Sequence, residues 1–337
     1  MPISILWIDG FDEIGSTDQK YRSPDERLNS QPSGPNAAYG YGRSLRVQNG
    51  WVAPTLAGAP FTVLFSAFDL ILYNNYDVTQ LRFDFWDQVA SDAQCYLRTA
   101  LNPTTLGYDL QLYRGTTLIY TWIGVLQHGV WQHVSLRCLV NPTAGSVTLA
   151  VNGVNKGTFT GNTQNTANTR VDRFRLNMTA NNERVNVDNW IIATGLVTDP
   201  LLPVARVYGA LMPNANVAVQ WTPSAGQNWD TVDEIPPNDS DYNSTATSGN
   251  RDAFSHAAPA SVGDTVLAVR VNARAYADAG DQIQNVVRVS GTDYYGASKS
   301  PTTSYFSYGH IWQNNPATSL PWTPAEAVNA GFGYRRV

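Results

Sequence analysis

The chain has 337 residues, which predicts two domains at the usual roughly 100–200 residues each. Its net charge of −5 and pI near 5.3 exclude the basic surface, with a pI above about 9, that nucleic-acid-binding domains present, so we expect no nucleic-acid partner. No stretch approaches the ~20 apolar residues of a membrane-spanning helix, so we expect no membrane insertion. The first residues lack a basic region and Asp9 interrupts their apolar run, so we expect no signal peptide.

Charged residues are only 15% of the chain, while hydrophobic residues make up 43% and aromatic residues 11%. The charged fraction of an average soluble domain is about 25%, and here Thr, Asn, Ser, Gly and Pro fill the difference. These residues favour turns or compete with helical hydrogen bonds, whereas Thr, Val, Tyr and Trp fit the pleated surface of a sheet. The composition therefore predicts an all-β protein.

Short runs of alternating apolar and polar residues follow one another through the first half of the chain. In 130–140, Val134 and Leu136 share one face of a predicted strand and polar residues share the other. Asn152 and Gly153 then mark a two-residue hairpin turn, because both positions tolerate a positive φ. Further strands are predicted at 61–70, 80–86, 94–101, 108–114, 117–124, 170–178 and 184–194. This number of strands favours two packed sheets over one open sheet.

A domain boundary is predicted at 198–203, where two prolines would interrupt a central strand. The first domain would then span 1–197 and the second, smaller domain 204–337. In the second domain we expect strands at 205–212, 266–277, 283–290 and 304–312.

One short helix is predicted near the C-terminus. Thr323 suits the N-cap, Pro324 suits the first helical position and Glu326 completes a capping box. Gly331 suits the end of the helix.

Groups that carry catalysis are scarce in this sequence. The four histidines do not have the spacing of a metal site, and nucleophile-elbow, phosphate-loop and Cys-x-x-Cys motifs are absent. Cys95 and Cys138 each lie in a predicted strand, where we expect two reduced, buried cysteines, with a disulfide between them as the open alternative. We expect no enzymatic activity, no catalytic residue, no cofactor and no metal.

The acidic residues allow two alternatives to that expectation. A glycoside hydrolase needs two carboxylates about 5–9.5 Å apart, but the three-residue offset of Asp84 and Asp87 places them on opposite faces of a strand. We interpret both as solvated turn or edge charges. Asp239, Asp241 and Asn243 resemble the start of a calcium loop, which then lacks its expected Gly and Glu, so a solvated turn is preferred and bound Ca²⁺ is left open.

Two segments are candidate sites for a glycan or another partner, since aromatic faces and amide hydrogen bonds on rigid loops bind sugars. A plain hairpin turn flanked by aromatic residues is the alternative in both cases. The candidate residues are Tyr73, Asn74, Asn75 and Tyr76 in the first segment, and Trp312, Asn314 and Asn315 in the second.

A series of segments, in order along the chain, shows a family resemblance. They are 5–12, 42–47, 131–136, 151–153 and 187–195 in the first domain, and 228–234, 248–254 and 315–326 in the second. The chain resembles bacteriophage virion structural proteins in which a concanavalin A-like, laminin-G-type jelly roll is followed by a C-terminal β-domain. The resemblance implies an N-terminal concanavalin A-like jelly-roll sandwich and a smaller C-terminal β-sandwich domain with one short helix.

The resemblance also implies a location in the virion of a tailed phage, after synthesis in the host cytoplasm. We expect a non-enzymatic structural or adhesive protein, as a tail fibre, tail-tip or baseplate-peripheral component that presents binding loops on rigid β-sandwiches. A capsid decoration or head-fibre protein that stabilises the shell is the alternative, followed by a polysaccharide-degrading enzyme or a free lectin. Expected partners are other virion proteins and a host-surface glycan, in a homo-oligomer or multi-copy assembly.

Overall fold

Strands dominate both halves of the chain, which confirms the all-β prediction. The computed structural model describes residues 3–11, 32–33, 44–47, 50–73, 81–178, 184–208, 211–235, 237–257, 265–278 and 280–337. These residues divide into two compact units, the first ending at Val207 and the second beginning at Tyr208. Within the described ranges, no helix has the length and apolar character needed to cross a membrane.

The described part of the first unit contains fourteen strands, which form a jelly-roll sandwich of two antiparallel sheets. An eight-stranded sheet has the order β12-β11-β10-β5-β14-β3-β2, with β1 also paired to β14. A six-stranded sheet has the order β4-β13-β6-β7-β8-β9. The strands are β1 (Ser4–Asp9), β2 (Pro32–Ser33), β3 (Ser44–Val47), β4 (Gly50–Val52), β5 (Val63–Tyr73), β6 (Leu81–Asp87), β7 (Asp92–Leu101), β8 (Tyr108–Arg114), β9 (Thr117–Leu126), β10 (Gln132–Leu139), β11 (Gly145–Val151), β12 (Val154–Gly161), β13 (Arg173–Met178) and β14 (Arg184–Thr194).

An aromatic core joins the two sheets. Phe68 of β5 contacts Phe83 of β6 with ring centroids 5.1 Å apart, and Phe174 of β13 contacts Trp190 of β14 at 6.2 Å. All four side chains are fully buried. Burying each such side chain stabilises the fold by roughly 1.5–3 kcal/mol, so the inward residues of the strands hold the sheets face to face.

The turn between β11 and β12 follows the sequence prediction. Asn152 and Gly153 connect the two strands with φ values of 52° and 75°, as a two-residue hairpin requires. The asparagine also ties the hairpin to β10, because its side chain accepts a hydrogen bond from the backbone N–H of His133 at 2.8 Å.

The predicted inter-domain segment packs on the first unit. Leu202 is buried in a cluster with Phe65 and Ile191, and Val197 packs against the same cluster. The segment is also held by Asn189, whose side-chain oxygen accepts a hydrogen bond from the N–H of Val207 at 2.7 Å. Apolar burial therefore draws the chain after β14 back over the eight-stranded sheet.

The second unit is a smaller β-structure with one short helix. A five-stranded sheet has the order β15-β18-β23-β20-β21, and the pairs β16-β17 and β19-β22 form two further ladders. Its described elements are β15 (Pro213–Ala218), β16 (Thr222–Pro223), a 3₁₀ turn (Trp229–Thr231), β17 (Asn243–Ser244), β18 (Arg251–His256), β19 (Val269–Ala275), β20 (Ile283–Val289), β21 (Thr292–Tyr295), β22 (Phe306–Trp312), α1 (Pro324–Asn329) and β23 (Gly331–Arg336).

The predicted helix is confirmed as α1, with Thr323 at its N-cap and a reciprocal capping box with Glu326. The helix packs on an apolar cluster that includes Val287, Trp312 and Trp322. The predicted strand at 205–212 is wrong for the residues that the structure describes there, since 205–208 and 211–212 lie outside any strand and the first described strand of this unit is β15.

Candidate functional site

The side chains that point away from the core of the six-stranded sheet include two rows that run across its strands. We call this surface the outer face. The strand register aligns Trp51, Asn177, Arg82, Arg98, Gln111 and Thr121 in the first row, and Arg175, Asp84, Tyr96 and Tyr113 in the second. Each row therefore brings together residues from four or more strands.

Strict alternation in the sequence produces these rows. Along β6, apolar residues such as Phe83 point inward and are fully buried, while Arg82 and Trp86 point outward and stay partly exposed. In β8, Gln111 and Tyr113 alternate in the same way with buried leucines. Side chains of a strand alternate between its two faces. When the apolar residues occupy the buried face, the polar residues between them therefore lie on the opposite face.

Two tryptophans enclose an arginine at the β13 side of the outer face. The guanidinium carbon of Arg175 lies 4.2 Å from the ring centroid of Trp51 and 3.8 Å from that of Trp86. Burial lowers the pKa of Arg175 to about 10, with partial compensation from Asp84. The arginine stays charged at neutral pH, and its contacts hold both indole rings at fixed positions.

Asp84 lies at the centre of the outer face. Its carboxylate accepts a 3.0 Å hydrogen bond from Arg82 and a 3.3 Å bond from Asn177, and it is fully buried. Burial raises its pKa, against the opposing charges of Arg82 and Arg175. Our interpretation of Asp84 and Asp87 as solvated charges is therefore wrong, because both residues are fully buried.

Stacked tyrosines continue the surface toward β8. The rings of Tyr96 and Tyr113 are nearly parallel, 6° apart in orientation and 5.1 Å apart between centroids. The guanidinium of Arg82 covers the Tyr96 ring at 3.6 Å, and that of Arg98 lies 4.7 Å from the Tyr113 ring. Burial raises the pKa of Tyr96, so this hydroxyl stays protonated at neutral pH.

Arg98, Gln111 and Tyr113 form a closed group of hydrogen bonds that we call the triad. Arg98 Nη2 donates to the Tyr113 hydroxyl oxygen at 2.6 Å and to Gln111 Oε1 at 3.1 Å. The Tyr113 hydroxyl in turn donates to Gln111 Oε1 at 2.9 Å. The proton of Tyr113 therefore has a defined direction, and a guanidinium contacts the oxygen that bears it.

The outer face combines three kinds of group that ligand chemistry uses. The aromatic rings offer flat apolar contact, and the amides of Gln111 and Asn177 supply hydrogen bonds. The arginines add positive charge and fixed donors. A tyrosine hydroxyl held by polar neighbours can also transfer a proton.

The first predicted glycan segment lies mostly outside the described residues. Tyr73 is the last residue of β5, where only its backbone is described. Asn74, Asn75 and Tyr76 fall in the range 74–80, which the structure does not describe. The prediction for this segment stays a prediction.

The second predicted glycan segment is largely internal. Trp312 is 7% exposed within an apolar cluster, and its carbonyl accepts a hydrogen bond from the Trp322 indole at 2.9 Å. Asn315 is fully buried, and its side chain accepts the N–H of Ala317 at 2.9 Å. Only Asn314 is exposed, beside its bridge partner Pro321. These contacts leave little surface for a ligand, so we place the candidate site on the outer face.

The residues of the calcium loop that was left open have other partners. Both carboxylate oxygens of Asp239 accept 2.6 Å hydrogen bonds from Arg274. The Asn243 amide donates to Asn228 and Tyr334. Within the described ranges, no group of three or more His, Cys, Asp or Glu side chains is arranged to hold a metal ion.

Sequence reasoning missed the outer face because it searched for histidines, thiols, paired carboxylates and loop residues. The triad uses none of these, since its members lie in the middle of regular strands. The available signal was the alternation of buried leucines with Arg98, Gln111 and Tyr113 in two consecutive predicted strands. Pairing those strands as a hairpin would have placed the three side chains on one surface.

No family model and no curated protein matches the chain. Among solved structures, it is similar to a glucuronan lyase from Trichoderma reesei, at 13% identity over 54% of this chain and 94% of the lyase, with a TM-score of 0.39. An alginate lyase from Chlorella virus matches at 12% identity over 50% of this chain and 89% of the lyase, with a TM-score of 0.35. The catalytic domain of a β-glucanase from Podospora anserina matches at 15% identity over 58% of this chain and 98% of the glucanase domain, also with a TM-score of 0.35. Similarity at this level assigns no residue and no ligand to the chain.

These proteins are carbohydrate-active enzymes, and this finding corrects two expectations. The prediction of a non-enzymatic structural or adhesive virion protein, with its capsid-decoration alternative, is wrong, and so is the exclusion of enzymatic activity. The first followed from the resemblance to phage proteins, and the second followed from the scarcity of histidines, thiols and paired carboxylates. The resemblance to phage proteins, the virion location and the expected partners stay predictions.

Proposed function

We propose that the protein is a carbohydrate-active enzyme that binds a polysaccharide chain along the outer face. The observation that carries this proposal is the alignment of aromatic and hydrogen-bonding side chains in rows across the six-stranded sheet. Neighbouring strands are about 4.8 Å apart, a distance similar to the length of one sugar unit in an extended glycan. A chain lying along a row would therefore present successive sugars to successive strands.

The aromatic groups support a sugar ligand in particular. Trp86 is clamped by Arg175, and the rings of Tyr96 and Tyr113 stack on each other, so all three are held rigidly. Rigid rings lose little conformational entropy on contact with the apolar face of a sugar. The amides of Gln111 and Asn177 lie in the first row, beside the tyrosines of the second row, and can bind its hydroxyl groups.

Binding is tested by affinity electrophoresis of the full chain in gels that contain different polysaccharides. We expect at least one polymer to retard the protein, and Trp86→Ala to bind that polymer with about 10-fold weaker affinity. The estimate is taken from the stacking of a nucleobase on an aromatic side chain, which contributes ~1–3 kcal/mol. Tyr276→Ala removes an exposed ring of the second unit and serves as the control. Equal retardation of Trp86→Ala and the unmodified protein by every polymer that binds would contradict the proposal.

The triad favours cleavage of the bound chain. Tyr113 is held by Arg98 and Gln111 with its proton directed at Gln111 Oε1, so it is placed to give or take a proton at a scissile bond. We expect new chain ends when the protein is incubated with the polymer that it binds. Tyr113→Phe should lower that rate by about 100-fold or more with a much smaller loss of binding affinity, because Arg98 and Gln111 are retained. Cleavage at an unchanged rate by Tyr113→Phe would rule out this role.

A further inference from the structure

The charge of the outer face differs in sign from that of the chain. The whole protein carries a formal net charge of −5. The two rows nevertheless hold three arginines, Arg82, Arg98 and Arg175, against one carboxylate, Asp84. That carboxylate is fully buried beneath the surrounding side chains, so the part of the face that a ligand would meet is positive.

Arg98 is the arginine whose charge is not compensated. Arg82 forms a salt bridge with Asp84 at 3.0 Å, and the charge of Arg175 is also opposed by Asp84. Within the described part of the chain, the hydrogen-bond partners of Arg98 are Gln111 and Tyr113, which are both neutral. Among the described residues, the triad thus presents a guanidinium that forms no hydrogen bond or ion pair with a carboxylate.

A neutral ligand would fit this surface poorly. Contact with an uncharged sugar would remove water from the Arg98 guanidinium without supplying an opposite charge, and such desolvation is costly. An anionic oxygen would instead accept a charge-assisted hydrogen bond from the planar guanidinium, whose geometry suits carboxylate and other oxyanions. The Tyr113 hydroxyl and the Gln111 amide lie beside the same position.

We infer that the polysaccharide bound by the outer face is acidic, with an anionic group of one sugar held at the triad. Arg82 and Arg98 are directly opposite each other on neighbouring strands, so acidic groups on consecutive sugars would each meet a guanidinium. This inference rests on the proposed function and adds the class of the polymer. The anionic group is an oxyanion, and carboxylated and sulfated glycans are its two sources.

The test compares four polymers on the full chain by affinity electrophoresis and isothermal titration calorimetry. They are polygalacturonate, its fully methyl-esterified form, dextran sulfate and neutral dextran. We expect binding to polygalacturonate or dextran sulfate, with the stronger of the two identifying the source, and loss of binding to polygalacturonate after esterification. Added salt should weaken the binding, because it screens the exposed charges.

Matched variants connect the effect to the triad. Arg98→Gln should weaken binding of the acidic polymer by about 10- to 100-fold, as expected for one lost charge-assisted contact. Arg98→Lys keeps the charge and should bind between Arg98→Gln and the unmodified protein. Lys156→Gln removes an exposed positive charge from β12, in the other sheet of the same unit, and should bind normally. Thermal melting identifies any variant that fails to fold, and Arg82→Gln then provides the second measurement.

The outcomes separate the two proposals. Binding of neutral dextran or of the esterified polymer as strong as that of the acidic polymers would overturn the acidic assignment, while the outer face would remain a glycan site if Trp86→Ala weakened that binding. An equal loss for Lys156→Gln and Arg98→Gln would also overturn it, because only overall charge would then matter. Absence of binding to every polysaccharide tested, neutral and acidic, would overturn the proposed function itself.

Discussion

The sulfur atoms of Cys95 and Cys138 lie 3.6 Å apart, one in each sheet of the first unit. Both side chains are fully buried and both thiols are free, which confirms the expectation of two reduced, buried cysteines. Burial, together with the neighbouring thiol of Cys95, raises the pKa of Cys138 well above its ordinary value. The two thiols therefore act as small apolar groups between the sheets.

The thiols should be unreactive in the folded protein. The thiolate is the reactive form of cysteine, and here access and ionisation are both suppressed. We expect no labelling by a chromogenic disulfide reagent under native conditions, and reaction of Cys95 and Cys138 after unfolding in guanidinium chloride. Rapid labelling of either cysteine in the native state would contradict the described packing.

Removal of the Asp252 side chain should destabilise the second unit. This buried carboxylate accepts hydrogen bonds from the N–H groups of Gln220 and Trp221, from Asn228 and from the Tyr334 hydroxyl. Asp252→Ala leaves these donors without a partner, which costs about 3 kcal/mol or more. Urea unfolding followed by tryptophan fluorescence measures the change.

An exposed carboxylate in the same unit provides the control for Asp252. Asp278→Ala should change the free energy of unfolding by less than about 0.5 kcal/mol. If Asp252→Ala were as mild as this control, the loop from Gln220 to Asn228 would have to be held by other contacts.

The helix cap can be removed at one position. Thr323→Ala deletes the side-chain acceptor for the N–H of Glu326 and one half of the capping box, so it should cost about 1 kcal/mol of stability. Thr303→Ala changes an exposed threonine of the same unit and should be neutral. Equal melting temperatures for the two variants would show that packing alone maintains α1.

The second unit should lose stability as the pH rises toward neutrality. Burial raises the pKa of Glu234 from 4.5 to about 7, with further contributions from a shared hydrogen bond and repulsion with Asp241 and from the charge of Asp233. A carboxyl group whose pKa is higher in the folded protein than in the unfolded chain stabilises the fold when it is protonated. This contribution is complete below the pKa of the unfolded chain and is lost as the pH rises through the pKa of the folded protein. The expected loss lies between pH 4.5 and about 7.

A neutral variant isolates this pH dependence. Glu234→Gln should flatten the melting temperature of the second unit across the same pH range, whereas Asp278→Asn should leave the slope unchanged. A slope that persisted in Glu234→Gln would assign the pH dependence to another group.

The sequence predicted most strands of the first unit, because one face of each strand is buried and leaves an alternating signature. The hairpin at Asn152 and the cap at Thr323 were predictable for a similar reason, since each depends on the local chemistry of a few residues. The failure at 205–212 was different. In that run Ala205 packs on a cluster of the first unit while Tyr208 and Leu211 are exposed, so its apolar composition does not reflect the one buried face of a strand.

The candidate site was not predicted, because it depends on register across strands. Arg98 and Gln111 are 13 positions apart, and their contact exists only when β7 and β8 pair without a shift. A slip of β8 by one residue would turn Gln111 into the core and leave Arg98 on the outer face. Asp84 shows the same limit, because its neighbours Asn177 and Arg175 belong to β13, and Asn177 is 93 positions away in sequence.

The two rows of the outer face run at right angles to the covalent chain. Hydrogen bonds hold each strand to the next, so a sheet comes apart one strand at a time when the hydrogen bonds between two neighbouring strands break. A stiff polymer bound along a row would contact several neighbouring strands at once and would oppose their separation. The edge strands β4 and β9, which each have a neighbour in this sheet on one side only, would gain most from such support.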